Sequence, residues 1–449
     1  MQFEKLHLPA ALVLVILTIN IPSFAAGHEL VLHVFGQGKD GGHPVAGLVS
    51  DRSGNLYGTT IGGGTHGWGT VFELVRGANR QWSENVLYSF QGGNDGSMLY
   101  GALVIDSSGN LYGTTDSGGG GSNCGQGGCG TVFELIDDAN GKWKEKILHR
   151  FNRADGDDPQ ADLAIDTAGV LYGTTYFGGE GNTCWDPSGD TSCGVVFELT
   201  PDGGGKWAEK VLHSFNYNNG KDGSNPSGNP VVLDASGNLY GTTGIGGTGQ
   251  CYDYDGDLIG CGTAFELRKG SDGRWVEKVV HNFGVDDTDG SGPFGLVSDS
   301  KGSFYGTTTS GGKPNHCGSG CGTVFKLAPE GDAWREEVLF AFDGNNGETP
   351  VQPTIDKNGN LYGTTVSGGA NSSCNYGFGC GTVFALLAEK NGRWAQRTLH
   401  SFDGDDGNGP NGGLVLDPAG DLYGTAFEGG KVTECGDQSG CGVVFKIAR

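Results

Sequence analysis

Beyond its first thirty residues the chain has no apolar run near the roughly twenty residues that a bilayer-spanning helix needs. Basic residues are scarce as well: 28 Lys and Arg stand against 52 Asp and Glu, a formal net charge of −24. Nucleic acid is bound through basic surfaces, so it is excluded as a partner class. An acidic surface of this kind serves solubility first. Recognisable catalytic motifs are missing too. Matches to Gly-x-Gly-x-x-Gly carry no weight among 88 glycines with no helix pattern behind them.

Residues 1–25 have the pattern of a secretory signal peptide. Lys5 precedes an apolar run from Leu8 to Ile21, and Ser23-Phe24-Ala25 offers a small-x-small cleavage site. A signal anchor is the alternative, against which the shortness of the run counts. No Cys lies near the cleavage site to carry a lipid. Residues 26–449 then form a single domain, longer than one compact core usually supports. Repeats escape that limit, because each unit buries its faces against its neighbours. The expected product is a monomer that is secreted or at the cell surface, with the periplasm as the alternative.

The repeat centres on Gly54-Asn55-Leu56-Tyr57-Gly58-Thr59-Thr60 and occurs seven times, the last copy at Gly420–Ala426. Every copy reaches a Gly-Gly pair two residues later, from Gly63-Gly64 to Gly429-Gly430. A period of about sixty residues signals a propeller, solenoid or array. Four strands are expected per repeat. The first is a short apolar run ending in Asp, as in Gly47–Asp51 and Asp162–Asp166. An Asp-x-x-Gly turn leads to the second, the Leu-Tyr-Gly-Thr-Thr segment. The third is of the type Gly69–Leu74. The fourth, such as Trp143–His149, mixes charges with aromatics and suits an exposed edge.

These strands predict an all-β fold, a seven-bladed β-propeller of four-stranded antiparallel blades with the first strand innermost. Residues 29–35 match a fourth strand, and Arg449 follows a third strand directly. Pairing the two would close the ring as a non-covalent clasp. If the fourth strand were innermost, the same ends would delimit seven whole blades with no clasp. An open solenoid would need atypical capping repeats, and none is visible.

Twelve cysteines fall as six pairs between second and third strands: Cys124/Cys129, Cys184/Cys193, Cys251/Cys261, Cys317/Cys321, Cys374/Cys380 and Cys435/Cys441. Trp68 takes the equivalent place in the first repeat. The variable spacing does not suit a fixed tetrahedral zinc site, whereas export suits disulfides. Connections 2→3 and 4→1 share one face, which is where a binding site is expected.

On that face an Asp/Asn-Gly pair recurs, at Asp40, Asp95, Asp155, Asp222, Asp289, Asn346 and Asp406. Turn formation is its ordinary role. Calcium is the alternative cofactor, with Asp253, Asp255 and Asp257 alternating as loop carboxylates do around the ion. Asp286, Asp287 and Asp289 make a second cluster, followed by Asp405 and Asp406; neither completes the twelve-residue loop pattern ending in Glu. His33, His149, His213, His281 and His400 share one fourth-strand position, where Tyr88 and Phe340 substitute. Spread around a rim they cannot converge on a single metal or substrate, so packing is expected. Glu73, Glu134, Glu198 and Glu266 recur at the end of strand three as scaffold, and His66 and His316 have no evident partner. Trp68 and Trp185 lie outside the strand pattern and suit either sugar stacking or loop capping.

The Leu-Tyr-Gly-Thr-Thr-x-x-Gly-Gly core with Gly-Thr-Val-Phe-Glu-Leu downstream resembles the GloVer tandem-repeat family of exported bacterial "choice-of-anchor" proteins. The resemblance covers nearly the whole chain after the leader. It implies an extracellular or surface location and no particular activity. The chain ends at Arg449 without the sorting tail of anchored members, so the resemblance does not extend to covalent attachment. More loosely, Asp-x-x-Gly-Asn-Leu-Tyr is similar to the first hairpin of NHL-type propellers, whose apolar-Asp strand is innermost. The leading expectation is a non-catalytic protein binding a glycan, protein or surface ligand through the looped face. The alternatives are a polysaccharide lyase or glycosidase, with unlike residues meeting at the channel mouth, and a purely structural envelope component.

Overall fold

The computed structural model describes residues 28–449 apart from 37, 80, 121–123, 125–126, 139, 181–192, 217–221, 227–229, 254–255, 287, 313–316, 372–373, 375–376 and 431–439. The proposed leader therefore lies outside the described residues, among which every regular element is a strand. Seven antiparallel sheets follow one another along the chain, each ordered innermost, second, third and outer strand. Blade one shows the scheme: Val49–Ser50, Leu56–Thr60, Thr70–Arg76 and Trp82–Ser89.

Blade seven takes its fourth strand from the other end of the chain. His28–Val34 pairs antiparallel with Val443–Ala448, closing the ring as a clasp. Seven steeply inclined Phe contacts confirm the closure, one at every junction between blades. Each joins the Phe that ends an outer strand to the strand-three Phe of the next blade, from Phe35–Phe72 at 5.1 Å to Phe402–Phe445 at 5.0 Å. All of these rings are buried. Such a pair adds about 0.5–1.5 kcal/mol beyond the area it removes from water.

The residues of the recurrent motif serve the scaffold. Leu56 is buried, and the Tyr57 hydroxyl donates to Glu73 at 3.0 Å. Gly58 leaves room for Phe72: a Cβ there would lie 2.5 Å from the ring. Thr59 donates to the Gly101 carbonyl of the next blade at 3.2 Å, while Thr60 pairs with Thr70 at 2.8 Å. Lys146 meets Glu134 at 3.3 Å, consistent with a structural role for the strand-three glutamates.

The innermost strands are shorter than the sequence suggests. Most have only two paired residues, and the Asp that follows turns its side chain onto the backbone; Asp51 accepts from Ser53 and Asn55 nitrogens at 2.8 and 2.9 Å. Blade five is the exception, its innermost strand running from Gly290 to Ser298.

The disulfides stand where one blade meets the next. Cys124–Cys129, Cys251–Cys261, Cys317–Cys321 and Cys374–Cys380 are bonded, with Cα atoms 4.9–5.3 Å apart. The expected pairs Cys184/Cys193 and Cys435/Cys441 are described in one half only, because Cys184 and Cys435 lie outside the described residues. Their described halves, Cys193 and Cys441, are buried, and neither is a free thiol. The geometry of these two bonds therefore falls outside the described structure, whereas the placement of Cys193 and Cys441 matches that of their counterparts.

The second cysteine of a pair offers its carbonyl to the next blade. Cys261 accepts from Gly292, Cys321 from Thr349 and Cys380 from Gly409, at 2.9–3.1 Å. Cys193 accepts in the same way from Asn225 at 2.9 Å, and Cys441 from His43, across the clasp, at 2.7 Å. Trp68 plays this part in blade one, accepting from Met98 at 3.4 Å. Met98 and Thr349 hold left-handed φ of 58° and 56° to make the bond, a conformation non-glycine residues seldom adopt. The glycine after the cysteine then packs on the following proline, with a Gly262 Cβ falling 2.5 Å from Pro293. Blade two lacks that proline, and Leu99 sits against Gly69 instead. The disulfides thus hold the carbonyls that dock successive blades.

Candidate functional site

Residues entering the innermost strands converge on the ring axis. Deep in the bore, Gly47, Ala102, Asp162, Pro230, Val297, Gln352 and Gly413 line one cavity, a contribution from every blade. Above it, toward the face carrying the disulfide loops, lies a cavity of about 170 Å³ lined by Tyr100, Gln160, Asp162, Phe294, Gln352 and Asn411. These six come from blades two, three, five, six and seven, and blade one adds Val45 to Gly47. Blade four's corresponding segment, 227–229, lies outside the described residues.

The mouth combines two aromatic faces, three amides and one carboxyl. Asp162 opens the innermost strand of blade three, at the position held by Gly47, Ala102 and Gly413 in other blades. Its Oδ1 accepts a hydrogen bond from the Ala102 nitrogen of blade two at 2.5 Å. Desolvation in the bore pushes its carboxyl up to about 6, and the Ala102 bond opposes that rise. Gln160 is held from behind: its Nε2 donates to Asp116 Oδ1 at 2.8 Å, and Ser117 Oγ donates to Asp116 Oδ2 at 2.9 Å. That leaves the Gln160 carbonyl oxygen for a ligand. Burial, with Asp116 and Asp158 nearby, raises the Tyr100 hydroxyl above its ordinary value and keeps it protonated. Among the described residues lining this mouth there is no Lys or Arg.

A second arrangement recurs around the rim. The five repeated histidines do not converge on one site, as their spacing implies. Each packs edge-on against the Phe two residues later, at 4.6–4.8 Å. Each also faces the Asp of its Asp-Gly turn: His149 and Asp155 are 3.3 Å apart, His213 and Asp222 3.3 Å, His281 and Asp289 3.5 Å, and His400 and Asp406 2.8 Å. These Asp residues also cap the turn; Asn216 nitrogen, for instance, donates to Asp222 Oδ2 at 2.9 Å.

A Glu from the outer strand of the next blade completes four of these groups: Glu209, Glu277, Glu336 and, across the clasp, Glu29. At these four junctions the three ligand atoms lie within 4.8 Å of one another. Desolvation pushes the carboxyls of Glu29, Glu84, Glu145, Glu209, Glu277 and Glu336 up to about 7. The histidines and the Asp-Gly turns were visible in the sequence, but their glutamate partner was not. Its signal lay in a constant offset, two residues after the outer-strand Trp in blades one to five.

The other sequence candidates are described only in part. Asp253 Oδ1 accepts from the Asp257 nitrogen at 2.8 Å, a turn contact, and Asp255 lies outside the described residues. Asp287, His316 and Trp185 lie outside them as well. Asp286 is exposed, and hydrogen bonds from Thr288 hold its carboxyl below the usual value. Trp68 is half exposed over Gly92, at the first junction. The described cysteines, Cys193 and Cys441 included, serve the blade junctions and line neither the mouth nor the His-Asp-Glu groups of the rim.

No curated protein matches the chain. Among solved structures, a polysaccharide lyase, the PL25 ulvan lyase bound to -[GlcA(1-4)Rha3S]-, superposes with a TM-score of 0.56 at 9% identity, covering 94% of this chain and 96% of the lyase. A fungal alcohol oxidase of the AA5 family, in complex with copper, gives 0.54 at 13% identity over 94% of this chain and 77% of its own. At such identities the likeness concerns the fold. The model of the Gloeobacter/Verrucomicrobia repeat matches residues 22–185 and 253–449. The chain is a member of the Gloeobacter/Verrucomicrobia repeat family.

Proposed function

We propose that this protein is an extracellular propeller that binds a neutral, hydroxyl-rich glycan at the axial mouth of its looped face. The carrying observation is the composition of that mouth: Tyr100 and Phe294 supply apolar faces, while Gln160, Gln352, Asn411 and Asp162 supply donors and acceptors. Sugar rings are bound in this way, by an aromatic face beneath the C–H surface and polar groups around the hydroxyls. The disulfides at the blade junctions support an oxidising compartment.

Charge favours a neutral ligand over an acidic one. The chain carries −24, and Asp162 faces the bore without a basic residue beside it in the lining. A glucuronate-containing, sulfated polymer such as the one bound by the structurally similar ulvan lyase would meet repulsion there. A single carboxyl in the mouth also falls short of the pair that glycoside hydrolysis ordinarily uses. One observation supports catalysis as the second reading: a carboxyl that titrates near 6 is poised for proton transfer.

A glycan array probed with the protein and with Tyr100→Ala/Gln160→Ala separates the readings. Binding to neutral oligosaccharides, reduced at least tenfold in the double variant, is the expected result. Absence of glycan binding, or binding indifferent to both substitutions, overturns the proposal. Slow degradation of a bound polysaccharide, abolished in Asp162→Asn, would establish the enzymatic reading instead.

A further inference from the structure

The rim groups are built from unlike residues on two blades, and they disappear together. At the junction of blades five and six the His position is Phe340, the Asp position is Asn346 and the Glu position is Gln396. Three substitutions, in separate segments of chain, remove every ionisable group from that one junction. Loss of all three members at one junction is the change that three ligands of one ion would show; at the junction of blades one and two, where Tyr88 replaces the His, Asp95 and Glu145 remain.

The geometry agrees. In the other groups Oε1 of Glu29, Glu209, Glu277 and Glu336 is out of contact with solvent and accepts no hydrogen bond. Nε2 of His149 and of His281 is likewise buried without a hydrogen bond. The carboxyls of Asp222 and Asp289, which complete two of the groups, are themselves more than nine-tenths buried. Buried polar atoms left without partners are costly, and a cation held beside the Asp carboxylate would satisfy the Glu oxygen and, in two groups, the His nitrogen as well. Ligand atoms about 2.0–2.1 Å from a tetrahedral zinc lie about 3.3 Å apart, and the His–Asp separations of 2.8–3.5 Å bracket that spacing.

We infer that the junctions of blades two and three, three and four, four and five, and six and seven are divalent metal sites of the zinc class, each ligated by one His, one Asp and one Glu. An imidazole with two carboxylates suits zinc, whereas calcium takes a larger set of oxygen ligands. Two of the three ligands come from one blade and the Glu from the next. The ion therefore ties neighbouring outer strands together at the rim, where they diverge. This inference is independent of the axial mouth.

The test uses untagged full-length protein, stripped with chelator and titrated with zinc chloride by calorimetry and thermal melting. Uptake of about four equivalents with a rise in melting temperature is expected, one equivalent for each of the four groups. Glu209→Gln should lower uptake to about three. Phe340→His/Asn346→Asp/Gln396→Glu, which rebuilds the absent group, should raise it to about five; this gain stays readable if the loss variant folds poorly. No saturable uptake, or uptake unchanged in both variants, would overturn the inference and leave each Glu holding a proton instead of sharing an ion.

Discussion

At the rim, six of the seven junctions bring together an Asp from one blade and a Glu from the next, and five of those six add a His. At the axis the seven copies disagree. The position opening the innermost strand is Gly47, Ala102, Asp162, Pro230, Gly295, Gln352 and Gly413 in turn. The same chain therefore keeps two kinds of position. Blade positions face the same kind of neighbour at every junction and rim positions at most of them, so one solution is repeated around the ring. Axial positions share a single space near the seven-fold centre, where identical large side chains would collide. Seven large side chains cannot all fit there, and the unlike residues that do can distinguish the parts of a ligand. Repetition supplies the ring, and departures from repetition supply the site.

Substitutions on the two sides of this contrast should separate stability from binding. The largest effect is expected where the copies agree. Phe72→Ala removes one member of the ring-closing Phe35–Phe72 pair and should cost about 3–5 kcal/mol in denaturant unfolding. Gln160→Ala, at the mouth, should leave stability within about 0.5 kcal/mol while weakening ligand binding. A Phe72→Ala protein as stable as the original would break the distinction. Next comes Gly241→Ala in the recurrent motif. Its new methyl would lie 2.5 Å from the Phe265 ring, so overpacking should cost about 1–3 kcal/mol, read as a fall in the unfolding midpoint.

A pH dependence is expected at the axis. The Asp162 carboxyl is raised from an ordinary 3.8 to about 6, so the folded ring favours its protonated form. Its contribution to stability is therefore greatest below pH 3.8 and declines as pH rises toward 6. Asp162→Asn should make the stability profile shallower across that window, since the amide cannot ionise. An unchanged slope would show that water reaches the carboxylate freely.

The sequence revealed the scaffold well for a physical reason. Leu56, Tyr57, Gly58, Thr59 and Thr60 each meet one neighbour whose nature is the same in every blade, so the constraint is repeated and the period is visible. The orphan fourth strand at residues 29–35 was legible because it matched a repeat position without its repeat. The mouth was hidden because its residues lie one per blade, at a position whose neighbours are other blades' differing residues. Tyr100, Gln160 and Asn411 occupy one repeat position, two residues before Ala102, Asp162 and Gly413, but the residue there differs from copy to copy. The rim groups were half visible. His149 and Asp155 stand close in sequence, but Glu209 arrives from the next blade, and only the joint change at Phe340, Asn346 and Gln396 betrays the link.

The most direct test of the division between ring and site is hydrogen exchange, measured on the free protein and on its complex with the strongest glycan from the array. Slowed exchange at residues 45–47, 100–102, 160–162, 294–295 and 411–413, with the outer strands unaffected, is the predicted pattern. Protection confined to the outer strands, or to the Asp-x-x-Gly turns of the opposite face, would contradict it.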